Sequence, residues 1–261
     1  MIINPYLVQP SGPSYGTLTT AWIAATGETD LTILGALNTL ESNLTTYGLT
    51  SKIKALYPFV GGTASKHKFN FMDARDLDAA YRLVFNGGWT HSSTGALPNG
   101  TNAYADTFLI PNVLGQNNAH ISYYSRTASA LTTSALMGVN ESGRMYLVRF
   151  GSSSTYVGIN SVGGPESGST SWQGFILGSR VNSANARLFR NGSFVFNAAE
   201  ASIAPDSLRP IYLAAWNRFG AALYSDAQCA LASIGDGLSD TEAANFYTAV
   251  QAFQTTLSRQ V

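Results

Sequence analysis

The stretch 229–242 joins a strand to a helix with no slack between them. Apolar residues Cys229-Ala230-Leu231-Ala232 run into the turn Gly235-Asp236-Gly237, and the turn opens directly into a well-signalled helix. Ser239 can cap that helix while Glu242, three residues on, reaches back to it, which is a reciprocal capping box. Leu238 and Ala243 flank the cap as a hydrophobic staple. Phe246, Val250, Phe253 and Leu257 then fall on one helix face. A chain of this kind must end by laying one amphipathic helix, residues 239–258, against a β body.

From Tyr57 onward, short apolar runs at 81–85, 121–124, 145–150, 175–177 and 211–213 are separated by Gly, Asn and Ser clusters. That rhythm predicts a mainly β fold, a two-sheet antiparallel jelly-roll sandwich over 57–261. Its best-defined hairpin turns at Asn191-Gly192, because a type I′ turn needs positive φ at both central residues. A two-residue loop pairs Arg190 with Ser193, Phe189 with Phe194 and Leu188 with Val195. Phe189 and Phe194 then share one face, and Leu188 and Val195 the other. Apolar groups on both faces suit a sandwich whose outer face is also covered.

Residues 1–28 hold Pro5, Pro10 and Pro13 with Gly12, Gly16 and Gly27 and show little periodicity, which reads as an extended arm used for attachment. Residues 29–56 read as helical. Ile33, Leu37, Leu40, Leu44 and Tyr47 are spaced four, three, four and three apart, with Gly48 as the stop. Spacing of that kind is an a/d seam. It describes either a short coiled coil that joins subunits or a helix packed on its own domain. A second helical turn, 51–56, precedes Pro58.

Charge bounds the partners. Only 11% of the residues are charged, with Lys+Arg and Asp+Glu balanced at 15 each, against roughly 25% in ordinary soluble domains. A neutral chain lacks the electrostatic footprint of a nucleic-acid or anionic-membrane binder. No stretch approaches the ~20 apolar residues of a membrane span. The one cysteine, Cys229, cannot form an internal disulfide and reads as a small buried hydrophobe. The opening Met1-Ile2-Ile3-Asn4-Pro5 lacks the basic start and long apolar run of a signal peptide. One class that fits a polar β protein of this kind is a viral structural protein, which leaves its host by lysis.

Several motifs have a family likeness. The hairpin Leu188-Phe189-Arg190-Asn191-Gly192 resembles the strand–turn–strand of laminin-G-like and concanavalin A-like jelly rolls. Ile234-Gly235-Asp236-Gly237-Leu238-Ser239 resembles their late loop before a helix, and Phe85-Asn86-Gly87-Gly88-Trp89-Thr90 with 99–105 looks like their opening strands. This likeness spans about 57–261 and implies the fold. A narrower one rests on Tyr57-Pro58-Phe59-Val60-Gly61-Gly62, Asp73-Ala74-Arg75-Asp76, His91-Ser92-Ser93-Thr94-Gly95 and the tail from Cys229. These look like virion proteins of tailed phages, a head or tail fibre or a capsid decoration, from about residue 30 to Val261. That resemblance implies a non-enzymatic structural protein on the virion surface, made in the bacterial cytoplasm. It further implies attachment to other virion proteins through the N-terminal arm, a homo-oligomer with a trimer as the natural state of a fibre, and a jelly roll facing a host-surface glycan. A free-standing carbohydrate-binding lectin and a polysaccharide-degrading enzyme are the alternatives.

Candidate chemistry is sparse, and no cofactor is expected. Glycan hydrolysis needs two carboxylates across one bond, and the nearest pair, Asp240 and Glu242, falls in a helix first turn where acids favour the dipole. Asp73, Asp76 and Asp78 form an acidic cluster that could hold Ca²⁺, although Arg75 in its midst opposes a cation and a turn with a short-helix cap explains the cluster as well. His67, His91 and His120 lack zinc spacing, and His91-Ser92-Ser93 lacks the Gly-x-Ser-x-Gly elbow. Sugar binding uses aromatic faces with amide and hydroxyl neighbours, which singles out Trp172-Gln173 and Trp216-Asn217-Arg218 as ligand-binding candidates. Tryptophan in a sandwich is otherwise core.

Overall fold

Alternation along the strands sends successive side chains to opposite faces, and here it builds three layers. The computed structural model describes residues 14–140, 143–150, 154–162, 166–167 and 172–261. Residues 1–13 of the expected arm lie outside them. Ile121, Tyr123, Ile176 and Ile234 of one sheet meet Leu136, Leu147, Val157 and Ile159 of the other in the interlayer core. Phe175, Leu177 and Leu231, alternating with them, point the opposite way into a second core against helices.

The first sheet runs in the order Ser193–Ala198, Ala186–Arg190, Gly174–Arg180, Ala119–Ser125, Cys229–Gly235, Gly95–Pro98 and Trp89–Ser92, with Ile53–Tyr57 also paired to Cys229–Gly235. The second runs Glu166–Ser167, Ser154–Ser161, Arg144–Phe150, Thr133–Val139, Tyr212–Leu213, Tyr104–Asp106 and Val84–Asn86. A small hairpin, Trp216–Asn217 with Ala221–Ala222, hangs from Thr133–Val139 by a short parallel pairing. The other pairings described are antiparallel, and the architecture is the expected mainly β two-sheet sandwich.

The third layer is helical: α1 (Thr17–Thr26), α2 (Leu31–Thr46) and α3 (Asp240–Thr256). The capping box of α3 forms as its sequence predicts. Ser239 Oγ accepts from the Glu242 amide and Glu242 Oε2 accepts from the Ser239 amide at 2.8 Å. Phe246, Val250 and Phe253 are fully buried beneath it, each worth roughly 1.5–3 kcal/mol of burial. Beyond α3, buried Arg259 donates to the carbonyls of Pro58, Phe59 and Ala230 and to Gln254 Oε1, which ties the end of the chain to the start of the sandwich.

Four expectations about the N-terminal segments change. Leu37, Leu40 and Leu44 are fully buried against the first sheet and α3, and Ile33 and Tyr47 pack at the margin of the same cluster. The a/d stripe is therefore used inside the chain and is not an exposed oligomer seam. Residues 17–26 of the expected arm form a helix, because the Glu41 carboxylate of α2 accepts from the Leu18 and Thr19 amides at 2.9 Å each and so caps α1 across space. The expected helical turn at 51–56 is a 3₁₀ turn, Thr50–Lys52, followed by the strand Ile53–Tyr57. Packing runs across residue 57, since α1, α2 and that strand share the core between the first sheet and the helices.

At the Asn191-Gly192 hairpin, Arg190 pairs with Ser193 and Phe189 with Phe194, as expected. A bulge then pairs Leu188 with Phe196 and leaves Val195 unpaired. The extra residue turns Phe196 toward the interlayer core beside Leu188.

Candidate functional site

The two candidate tryptophans, Trp172 and Trp216, and their neighbours do not come together. Trp172 is buried between the sheets, and its indole N–H donates to Thr155 Oγ1 at 2.9 Å. Gln173 beside it uses its side-chain amide to donate to the Arg126 carbonyl. Trp216 instead lies on the outer face of the second sheet, packed with Ala135, Tyr146 and Val148 and only 5% exposed. Asn217 is buried and donates to the Pro210 carbonyl at 2.9 Å. Arg218 is exposed, its guanidinium carbon 5.7 Å from the centre of the Trp216 ring.

Around Trp216 the outer face has a regular construction. One row of cross-strand partners runs Val84, Asp106, Tyr212, Gly138, Tyr146, Gly158 across six strands. Their chain neighbours Phe85, Ala105, Leu213, Met137, Leu147 and Val157 point inward, so this row points out. Glycine stands between or beside the tyrosines because the neighbouring strand leaves no room for a Cβ. A Cβ at Gly158 would stand 2.5 Å from Tyr146 Cε1, and one at Gly138 would stand 2.7 Å from the Met145 carbonyl oxygen. Tyr212 stacks on Tyr104 with ring centres 4.6 Å apart, and Tyr146 packs on Trp216 at 5.2 Å.

Burial pushes the Tyr146 and Tyr212 phenols up to about 12, with Asp106 adding to the effect on Tyr212. Both remain neutral hydrogen-bonding groups at physiological pH. Burial also raises the Asp106 carboxyl, although the Phe108 amide donates to it. At the rim, Arg209 lies over Phe219, 4.5 Å from the ring centre. Phe219 is 71% exposed and held at φ 59°, and Ala214 (φ 59°) and Leu223 (φ 52°) are left-handed as well. Bulky residues in that region are outliers that persist where surrounding structure holds them. Among the described residues no helix packs on this face.

The acidic cluster is committed elsewhere. Arg75 grips Asp73 through Nε and Nη2, Lys68 pairs with Asp76, and Arg82 bridges Asp76 and Asp78. These hydrogen bonds hold Asp73 and Asp76 below the usual carboxylate range. Three carboxylates matched by three cations do not make a calcium loop, and among the described residues no group of three His, Cys, Asp or Glu is arranged to hold a metal.

Sequence reasoning missed the relay around His120. Its Nδ1 donates to the Asp236 carbonyl, Ser233 Oγ lies 3.0 Å from Nε2, and Ser122 Oγ lies 2.7 Å from Ser233. The order resembles a serine–histidine dyad, but all three side chains are fully buried beneath the helices, so no substrate reaches them. His67 and His91 share a proton between Nδ1 atoms 2.8 Å apart within a cluster of Phe59, Phe85 and Trp89. Cys229 is buried, and burial raises its thiol far from reactivity. No helix of the described residues is long and apolar enough to cross a membrane.

Comparison with known proteins adds fold information. Among solved structures the chain is similar to a mutant of Trypanosoma rangeli sialidase displaying trans-sialidase activity, with a TM-score of 0.54 at 9% identity. That match covers 84% of this chain and 39% of the sialidase. It shows the sandwich fold. Domain 4 of AbnA, a GH43 extracellular arabinanase from Geobacillus stearothermophilus, follows with a TM-score of 0.48 at 12% identity, over 75% of this chain and 98% of that domain. The botulinum neurotoxin serotype D binding domain has a TM-score of 0.48 at 10% identity, over 76% of this chain and 52% of its own. The chain thus spans about half or less of the length of two of these three. No protein-family model and no curated protein sequence matches it.

Proposed function

We propose that this chain is a non-enzymatic structural protein of a tailed-phage particle, a head or tail fibre or a capsid decoration, that presents a lectin-like sandwich to host-surface sugars. The half-exposed aromatic pair on the outer face of the second sheet carries the reading. Tyr104 and Tyr212 form a half-exposed stacked pair beside Asp106, while Tyr146 and Trp216 continue the aromatic row beneath the surface as its support. Flat aromatic rings flanked by hydroxyl, carboxylate and guanidinium groups suit a sugar, which offers an apolar ring face and a polar edge. The phage assignment rests on the sequence motifs around Tyr57–Gly62, Asp73–Asp76 and the tail.

A polysaccharide-degrading enzyme would need two free carboxylates flanking one bond. Asp73, Asp76 and Asp78 are ion-paired, Asp240 pairs with Arg187, and Glu242 is shared between Lys52 and the α3 cap, which favours binding over cleavage. Quantitative mass spectrometry of purified particles whose genome encodes this chain tests the virion role. A copy number near that of the major capsid protein supports decoration or a head fibre, a small fraction supports a tail component, and absence overturns the virion reading. A glycan array with the wild type and Tyr212→Ala tests the sugar role: binding that Tyr212→Ala abolishes supports it, and no binding by the wild type overturns it.

A further inference from the structure

Away from the aromatic face, the helical layer and the first sheet enclose a pocket of about 260 Å³. The start of α2, the turn between Trp89–Ser92 and Gly95–Pro98, and the exit of α3 meet there. Buried Val60 and half-buried Leu257 supply apolar surface, while Asp30, Thr32, Ser93 and Ser258 supply oxygen atoms. Those oxygens are not used by the fold. Asp30 Oδ1 caps α2 by accepting from the Thr32 and Ile33 amides, but Oδ2 has no hydrogen-bond partner among the described residues. The hydroxyls of Thr32, Ser93 and Ser258 likewise make no hydrogen bond among the described residues.

The backbone at Ser258 adds a second observation. α3 ends in a Schellman arrangement, with the Ser258 amide donating to the Thr255 carbonyl at 2.9 Å and the Arg259 amide to the Gln254 carbonyl at 2.8 Å. Ser258 takes the left-handed position of that motif at φ 54°, which glycine fills at lower cost. Its hydroxyl makes no bond in the fold that would offset the cost, and it lines the pocket instead.

Local charge narrows the ligand. The guanidinium of buried Arg259 lies 3.5 Å from the Ser93 carbonyl and so offsets the charge of Asp30. Glu28, which accepts from the Asp30 amide, is matched by Lys66 at 3.0 Å. A pocket balanced in this way favours neither a free cation nor a free anion. It offers acceptors, hydroxyls and an apolar wall, which suit a neutral ring with hydroxyls on its edge and C–H groups on its face. Its volume falls just under the roughly 300–1,000 Å³ of drug-sized sites, room for one ring and not for a chain of them.

We infer that this pocket is a carbohydrate site of its own, holding a single neutral monosaccharide unit whose hydroxyls donate to Asp30 Oδ2. It is separate from the Tyr104–Tyr212 pair on the outer face of the second sheet and does not depend on it.

The test is an amide NMR titration of the full chain with the methyl glycosides of glucose, galactose, mannose and fucose, and with glucosamine and glucuronic acid. The expected result is a saturable shift of the amides of 30–33, 93–94 and 256–258 with at least one neutral glycoside, and weaker binding of the amino and acidic sugars. Asp30→Asn keeps the cap, because Asn caps a helix as well as Asp does, and should weaken that binding at least about tenfold. Ser258→Gly should melt at the same or a higher temperature than the wild type and still bind more weakly, a combination that a structural role for the serine would not give. Tyr212→Ala should leave these shifts intact. No shift of these amides with any neutral glycoside overturns the site, as does a shift that Asp30→Asn and Ser258→Gly leave unchanged. Tighter binding of the amino or acidic sugar overturns the neutral ligand. Shifts confined to the surroundings of Tyr212 overturn the pocket and support the outer-face reading alone.

Discussion

The ring of Tyr146 lies across Gly158 of the next strand, so closely that a Cβ on Gly158 would meet Tyr146 Cε1 at 2.5 Å. The same row places Gly138 between Tyr212 and Tyr146. The close packing of this face therefore depends on two glycines.

Gly158→Ala should force the Tyr146 ring to shift and cost about 1–3 kcal/mol, as overpacking does. Gly138→Ala should cost more, because its new methyl meets the Met145 carbonyl oxygen at 2.7 Å, which is backbone and cannot rotate away. Urea denaturation of both variants measures this. A negligible cost at Gly158 would mean that the Tyr146 ring is free to move, and one at Gly138 that the paired strands can move apart.

Glu41 caps α1 from another helix, and its removal should be felt at a distance. Glu41→Ala leaves the Leu18 and Thr19 amides without their acceptor, at a cost of about 0.5–2 kcal/mol. Hydrogen exchange should accelerate at residues 18–19 and along α1, while the sandwich strands keep their protection. Unchanged exchange at Leu18 would show that α1 stands without this cap.

Acid should destabilise the fold through two buried imidazoles. Burial lowers His120 to about 4, and burial, with His91 and Arg259 nearby, lowers His67 to about 3. An unfolded histidine takes its proton near pH 6.5, so below that value the unfolded chain binds more protons than the folded one. Stability present above about pH 6.5 is then lost as the pH falls toward about 4 for His120 and about 3 for His67, at up to about 1.4 kcal/mol per pH unit for each group. Denaturation midpoints should drop between about pH 7 and about pH 5, and His120→Gln should reduce the slope. A flat profile over that window would mean that neither ring is held neutral.

Local signals were legible wherever one segment carries its own instructions. The α3 capping box, the Asn191-Gly192 turn and the turn-punctuated apolar runs each read correctly, because caps, turns and side-chain alternation act over a few residues. The α2 stripe was legible as a helix but not in its use. Leu37, Leu40 and Leu44 have the same spacing whether they meet another subunit or their own sheet, and only the fold supplies the partner.

The open face could not be read in advance, and the reason is physical. Its row draws one residue from each of six strands between Val84 and Tyr212, and which residues stand abreast depends on register and bulges that only long-range pairing decides. Trp216 and Trp172 sit in similar local sequence, yet one reaches the outer face and the other fills the interlayer core. Mid-strand Gly138 and Gly158 were the one local hint, since glycine inside a strand marks a close approach. The sequence by itself determined a neutral, turn-rich, mainly β sandwich closed by a capped helix. Tertiary structure decided that the first sheet is covered by helices, that Glu41 caps a helix in the expected arm, and that Tyr104 and Tyr212 stack half-exposed on the outer face of the second sheet.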